Sequence, residues 1–579
     1  MTRGRSAAAF LGRFVASWGE KLVNQNKFDV AILGSGIGGS TLAAILGRQG
    51  FRVLLLEKGT HPRFAVGEAM QPQSSMLLWI LGERFDVPEI QNLSSTDRIL
   101  EHVTKNCGVK KTFGFLYHEE GKRQDPAKAH LLIPPATPLV SESHLFRQDI
   151  DHYLVKAAIK YGAVYRDRID VQDFSINEDG VVLSTDTGEE FHARFLVDGS
   201  GHKSFVANKL GLRQEVPPLR TESRTIFTHM IGLKRYDDTL APEERPGLSR
   251  GWYEGTLHHI IPGGWFWIIR FDNVPGSESL LTSVGLTLDM QMYPQRGIPP
   301  QQEFEEIVAR YPSIATHLEG GEAVRPWVGT GRLQFSATDS AAPRYFLMSH
   351  AHGFIDALYS RGMINTFEQI HALAPRLMQA LRDDDFALSR FDYPRRLQAA
   401  MLQDNDRMVF NSFRSFVDFD AWNAWLRIWL VNIIFGDLRM FRVCLKYLAS
   451  RDKAEFESLD EDPLPMSSLP GEDPLEDLYA FGDAMFDRWQ AGEITAQEAA
   501  ARIFEMLGRS PLPPIHPWGD PAACHLDLVH EKLVQMIGWG MTAARPPLSR
   551  LFDFDPSVLG GPPPSPAPAM EEEPVPAMA

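Results

Sequence analysis

Two short stretches carry residues whose types and spacing point to chemistry. The first, FDVAILGSGIGGSTLAAILGRQGFRVLLLEKG, begins at Phe28 and holds Gly34, Gly36 and Gly39 as GxGxxG, with Glu57 at the end of the next apolar run. Gly34 permits a tight turn, Gly36 lets backbone approach a pyrophosphate, and Gly39 lets helix and strand close on each other. The helix that follows offers unpaired N–H groups and the positive end of its dipole to phosphate. Glu57 is placed to accept hydrogen bonds from a ribose. Strand, turn, helix and terminal acid together predict dinucleotide binding. The second stretch is GGWFWIIRF, from Gly263 to Phe271. Its aromatic and aliphatic alternation reads as a β-strand, which puts Trp265 and Trp267 on one face. Two indoles there either fill a core or wall off a reactive cofactor.

Such residues need a scaffold to position them, and the chain is long enough to supply one. At 579 residues it exceeds a single ordinary core, so two or more packed units are expected. The net charge of −16 argues against nucleic acid as the main partner, because phosphate recognition needs a basic face. Cys107, Cys444 and Cys524 lie far apart, without metal-ligand spacing, which fits a reducing cytoplasm and predicts neither a metal site nor a disulfide framework. No apolar run reaches membrane-spanning length; WLRIWLVNIIF, from Trp425, is interrupted by Arg427 and Asn432.

The arginine-bearing N-terminus reads as an amphipathic helix over 1–26, packed on the body in preference to a targeting or membrane-surface role. The dinucleotide module with its interleaved substrate sheet (about 215–345) spans 27–395. A helical, aromatic region follows over 396–555, and a proline-rich tail over 556–579 reads as disordered. Residues 455–475 form an acidic, proline-broken linker. Trp422, Trp425 and Trp429 share one helix face, which predicts core in preference to a groove for a hydrophobic substrate or a carrier protein.

GxGxxG alone does not separate NAD from FAD. A second fingerprint follows: SHLFRQDIDHYLVKAAIKYGAVY opens a helix at Arg147, and HARFLVDGSGHKSFVANKLGL ends a strand at Asp198 before Gly-Ser-Gly. This pattern resembles the flavoproteins that include aromatic hydroxylases, geranylgeranyl reductases and flavin-dependent halogenases. Three motifs narrow the resemblance to the halogenases. Gly264-Trp265-Phe266-Trp267-Ile268-Ile269 resembles their GWxWxIP; PRFAVGEAMQP, with Gly67 and Glu68, resembles their GE(S/A) segment; and GFIDALYSRG, with Asp356, Ser360 and Gly362, resembles their GFIDPLFSSG loop.

The resemblance implies an α/β fold: a Rossmann-type FAD-binding domain with an interleaved antiparallel substrate sheet and a mostly helical C-terminal region. It implies FAD held by Gly34, Gly36, Gly39, Glu57, Glu68, Arg147, Asp198, His350 and Asp356, with halide at Ser360 and Gly362. Reduced FAD would come from a separate flavin reductase, since no second GxGxxG unit marks a nicotinamide domain. It implies O2 uptake as a C4a-hydroperoxide, attack by chloride or bromide, and hypohalous acid directed by a lysine. That lysine precedes a phenylalanine by about five residues in the family, which selects Lys110 before Phe115 in KNCGVKKTFGFLYH over Lys111 and Lys105. Trp265 and Trp267 then keep a small-molecule substrate away from the flavin.

The sequence departs from the pattern at four places. Ser349-His350 replaces a Gly-Asp pair, with His350, if protonated, facing phosphate. Arg361 stands between Ser360 and Gly362, where it either helps to hold halide or blocks the pocket. Tyr359 replaces the glutamate of free-tryptophan halogenases, which favours a phenol- or pyrrole-type arene or another activated carbon, free or carried by an acyl carrier protein. Arg270 replaces the motif proline. A flavin monooxygenase, a polyprenyl-type reductase and a non-catalytic flavin-binding scaffold are the rival readings on the same fold.

Overall fold

The computed structural model describes residues 27–135, 139–245, 247–460 and 474–559. The segment 1–26 and most of the acidic linker fall outside the described residues. Pro556–Leu559 make one 3-10 turn inside the interval assigned to the tail, whose remainder is also outside them.

β1 (Lys27–Leu33), α1 (Ile37–Arg48) and β2 (Val53–Leu56) form the opening unit. Val30, Ala31, Ile32 and all of Val53–Leu55 are fully buried, the continuous apolar run expected of parallel strands covered on both faces. Further along come α2 (Pro72–Phe85), β3 (Phe113–Tyr117), β4 (Ala129–Ile133), α3 (Arg147–Lys160) and β5 (Glu190–Asp198). Next are β6 (Ser223–Ile231), β7 (Thr256–Ile261), β8 (Gly264–Arg270), β9 (Thr282–Asp289) and β10 (Tyr345–Leu347). The chain then turns helical, with α4 (Arg361–Asp383), α5 (Asp392–Ser415), α6 (Phe419–Ser450), α7 (Pro474–Gln490) and α8 (Ala496–Arg509).

Two large sheets organise these elements. In the first, β10, β5, β1 and β2 lie side by side in parallel, with Leu33 opposite Asp198 on one flank and Leu56 on the other. The second runs β6-β9-β8-β7-β3-β4, antiparallel except where β7 meets β3. It draws on more of the chain than 215–345: β3 and β4 come from before that interval, and Leu526–Asp527 joins β4 from far beyond it.

Register partners share a face, so one cross-strand row can be followed through six strands: Phe227, Gly285, Trp267, His258, Phe115 and His130. Trp265 lies on the same face beside Trp267, with ring centroids 5.6 Å apart. Phe266 and Ile268 point the other way into a separate core that also holds Phe304 and Tyr311. A thread of imidazoles crosses that side: His118 Nε2 lies 2.9 Å from His259 Nδ1, and His259 Nε2 lies 2.9 Å from His317 Nδ1. His317 donates its remaining N–H to the Lys234 carbonyl, which makes each ring the Nε2–H tautomer and leaves His118 Nδ1 without a partner among the described residues.

The helical region closes over this framework. Trp422 and Trp429 pack on Phe115, while Trp425 packs on Tyr479 and Phe486 of α7 and donates to the Met408 carbonyl. The one-face stripe is therefore core, divided between two neighbours. The start of the presumed linker is packed as well: Phe456 is fully buried against Trp79 and Tyr447, and Asp460 accepts from Arg84 and pairs with His371.

Gly285 is required by the row. A Cβ there would lie 2.1 Å from the Trp267 ring. Gly285→Ala should destabilise the protein by about 1–3 kcal/mol. In a Trp267→Ala background the penalty should vanish, a coupling that a double-mutant cycle in urea would measure.

Candidate active site

At the glycine turn the backbone approaches closely. Gly34 adopts φ +88°, where a Cβ would sit 2.7 Å from the Gly199 carbonyl oxygen, and a Cβ on Gly39 would sit 2.0 Å from that of Gly34. Gly36 caps α1 with no side chain, so the first-turn N–H groups remain for a ligand. Glu57 Oε2 accepts from the Ser35 N–H at 3.0 Å and its hydroxyl at 2.9 Å, while Oε1 accepts from the Gly59 N–H. Burial opposes ionisation of Glu57, but Arg63 and these donors outweigh it and hold the carboxyl below its ordinary range. Arg63 Nε and His61 Nδ1 are buried here without partners among the described residues. An uncapped helix, an ionised acid and orphaned polar atoms fit the pyrophosphate and ribose of FAD. Arg63 escaped the sequence argument because its basis is spatial: it stands 3.4 Å from Glu57 Oε2.

Arg147 secures the segment that follows. Its guanidinium forms a two-pronged pair with Asp151 at 2.8 and 3.1 Å and donates to the Val66 and Gly67 carbonyls. Glu68 is buried against His229 Nε2 at 2.8 Å. His350 lies where a Cβ on Gly362 would come within 3.1 Å of its Nε2. Desolvation, reinforced by nearby Arg147, lowers the His350 pKa to about 4, so the ring is neutral at neutral pH.

Asp198 and Asp356 are engaged by their own loops. Asp198 accepts from Ser200, Ser204 and the Val206 N–H. Asp356 accepts from the Leu358 N–H and from Ser223 at 2.8 Å, and Gln334 bridges Ser223 to the Ile355 carbonyl. The GFID loop is thus fastened to the second sheet. Ser360 holds a left-handed backbone (φ 52°) at the start of α4. Arg361 is buried and electrostatically coupled to Glu368, one helical stretch further along α4. Arg270, the other intruding cation, pairs with Asp272 at 2.9 and 2.7 Å and donates to the Leu233 and Lys234 carbonyls.

Lys110 stands at the other end of the aromatic row. A two-rung ribbon pairs Gly108–Val109 with Ser143–His144, and the Lys110 N–H continues it to the Glu142 carbonyl at 3.1 Å. This places Lys110 beside Glu142, with Nζ 3.6 Å from Oε2. Nζ also donates to the Met70 carbonyl and lies 4.1 Å from the Phe113 ring centroid. Lys110 is 1% exposed, and desolvation lowers its pKa to about 8 against the pull of Glu142 and Asp437. Lys111, one residue on, is exposed. Phe113 and Phe115 pack on His258 at 4.9 and 4.7 Å, and His258 lies 5.5 Å from Trp265. A continuous aromatic surface thus joins the tryptophan pair to the lysine. Tyr359 stacks on Trp429 at 4.6 Å beside Phe113, so α6 supplies one wall. Glu142, His258 and Asp437 carried no local motif that would have singled them out.

Comparison with known proteins agrees with this geometry. An FAD binding domain model matches residues 27–234. Together the fold and the glycine turn define an FAD-dependent oxidoreductase. Monodechloroaminopyrrolnitrin halogenase PrnC of Pseudomonas fluorescens is 40% identical over 543 residues, covering 92% of this chain and 95% of that protein. Tetracycline 7-halogenase of Kitasatospora aureofaciens is 39% identical over 533 residues, covering 91% and 95%. The crystal structure of halogenase PltM in complex with phloroglucinol and FAD superposes with a TM-score of 0.82 at 33% identity, over 86% of this chain and 99% of that one. The chain belongs to the flavin-dependent halogenases. No helix among the described residues is long and apolar enough to cross a membrane.

Glu57→Gln should weaken FAD binding roughly tenfold, the scale of one charge-assisted hydrogen bond. Flavin-fluorescence titration of the purified variant checks this.

Proposed function

We propose that this halogenase acts on a free, electron-rich arene of phenol or pyrrole type, with Lys110 presenting hypohalous acid to the ring. The observation that carries the reading is the Lys110 amine, dry and drawn to a pKa of about 8, at the end of an aromatic surface leading from Trp265 and Trp267. Three relatives support the substrate class. PrnC and the tetracycline enzyme are named for free small molecules, and PltM holds phloroglucinol. An acyl carrier protein has no part in this reading.

FAD would be held by the first turn of α1 with Gly34, Gly36 and Gly39 at its pyrophosphate and Glu57 at its ribose. Arg147, Glu68 and His350 would stand on the side toward the second sheet. Bound and reduced, FAD supplies the electrons with which oxygen oxidises halide. A separate flavin reductase in the cytoplasm would deliver it reduced. Ser360 and Gly362, at the uncapped start of α4, would place chloride or bromide. Trp265 and Trp267 form a wall that stops an arene and lets a triatomic oxidant pass, and their dryness limits its hydrolysis. At Lys110 the neutral amine meets hypohalous acid. The ring carbon then takes the halogen, and its displaced proton ends in water.

Phloroglucinol with bromide, FAD, NADH and a flavin reductase should give a brominated product by mass spectrometry. Lys110→Ala should lower product at least about 100-fold, the scale of a lost acid–base group, with bromide-dependent oxidant still formed. Since the amine must be neutral to take up halogen, bromination of the Lys110 nitrogen should rise with pH through about 8, where Lys110 loses its proton. A flat profile across that interval, or undiminished product in Lys110→Ala, would remove Lys110 from this role.

A further inference from the structure

Beside Lys110 lie two carboxyls that the reading above does not use. Glu142 precedes the strand that pairs with Gly108–Val109 and is buried, with Oε2 3.6 Å from Lys110 Nζ. Asp437 comes from α6, on the far side of the cluster. Its Oδ1 is out of solvent's reach and unbonded among the described residues, and its carboxyl shares a hydrogen bond with Gln73 of α2. A Cβ on Gly436 would lie 2.3 Å from Gln73 Nε2, so a glycine lets α6 close at this point.

Charge accounting in this dry space assigns the protons. One ammonium cannot neutralise two carboxylates, so one acid keeps its proton. Burial and the neighbouring Glu142 both raise the Asp437 pKa well above the usual range, with only Gln73 and Lys110 opposing them. Asp437 is therefore the neutral member. Burial also raises Glu142, to about 7, against the pull of Lys110, whose own pKa is lowered to about 8. A glutamic acid and an alkylammonium normally lie about six units apart; burial moves the two toward each other, and at 3.6 Å their side chains are placed to exchange a proton. The other titratable rings facing Lys110 are fixed. His144 has its two nitrogens on the Arg270 carbonyl and the Thr256 hydroxyl, His258 donates to the Gly114 carbonyl, and burial holds both pKa values to about 3.

We propose that Glu142 is the acid–base partner of Lys110, giving a proton to the lysine nitrogen when halogen leaves it and taking back the proton that the arene loses. The proposal deepens the function proposed above and rests on it. The steps balance. The neutral amine and hypohalous acid form an N–X bond and break N–H and O–X, releasing water. The ring carbon then takes X as the N–X electron pair returns to nitrogen. That nitrogen would depart as an amide anion unless protonated, and the Glu142 carboxyl supplies the proton. The resulting carboxylate accepts the proton from the halogenated ring carbon, restoring aromaticity and Glu142 together. The sum is arene plus hypohalous acid giving haloarene plus water. Asp437, protonated throughout, takes no proton and keeps the pair in an uncharged setting.

The test separates loading of Lys110 from its discharge. Glu142→Gln, with FAD, NADH, a flavin reductase and bromide, should accumulate N-brominated Lys110, read by mass spectrometry of the lysine peptide. Its bromination of phloroglucinol should fall about 100-fold, the scale of general acid–base catalysis. FAD affinity and oxidant formation should match the wild type, which shows the variant to be folded. Glu142→Asp should restore part of the discharge. Wild-type bromination by Glu142→Gln, or lost product without halogen on Lys110, would overturn the proposal and leave the halogenase reading standing. Absence of bromide-dependent oxidant in the wild type would overturn both.

Discussion

Removing an ammonium group from water is unfavourable, and apolar packing around it cannot compensate. Lys110 is held in that condition by four parts of the chain: the Met70 carbonyl, the Phe113 ring, the Glu142 carboxyl and, on the far side of the cluster, the Asp437 carboxyl. Each must arrive from its own element with little freedom. The short ribbon between Gly108–Val109 and Ser143–His144 aligns Lys110 with Glu142, β3 brings Phe113, and the close approach of α6 to α2 brings Asp437. The architecture can be read outward from this amine.

The second sheet gives the amine its connection to the flavin side. Because register partners lie on one face, a residue in β6 and a residue in β4 belong to the same surface although the chain between them is long. Trp267 occupies the middle of that surface only because Gly285, beside it, has no side chain. The helical region is equally part of the site. Trp429 and Asp437 both belong to α6, so the helical region packs directly on the candidate site.

What was legible beforehand was what is local. The glycine turn is read from residues a few positions apart, and the tryptophan pair from the two-residue period of a strand. Lys110 was found through its distance from Phe115. Glu142, Asp437, His258 and Arg63 were not found, because their meaning is set by what lies opposite them in space. The intruding residues had been weighed by type alone. Arg361 was weighed as a holder or a blocker of halide, and it lies buried within electrostatic reach of Glu368; Arg270, noted as replacing a proline, ties off a strand end. His350 was weighed as a partner for phosphate if protonated; desolvation and nearby Arg147 lower its pKa.

The imidazole thread behind the sheet gives the whole enzyme an asymmetric response to acidity. His118, His259 and His317 are neutral because burial depresses all three pKa values, those of His118 and His317 to about 3. In the unfolded chain the same rings take up protons near pH 6.5. Between those limits the unfolded state binds more protons, so each ring withdraws stability as the medium is acidified and none does so above neutrality. Three aligned N–H dipoles that stitch one core together thus behave as a fuse, intact in mildly alkaline conditions and progressively loaded in acid.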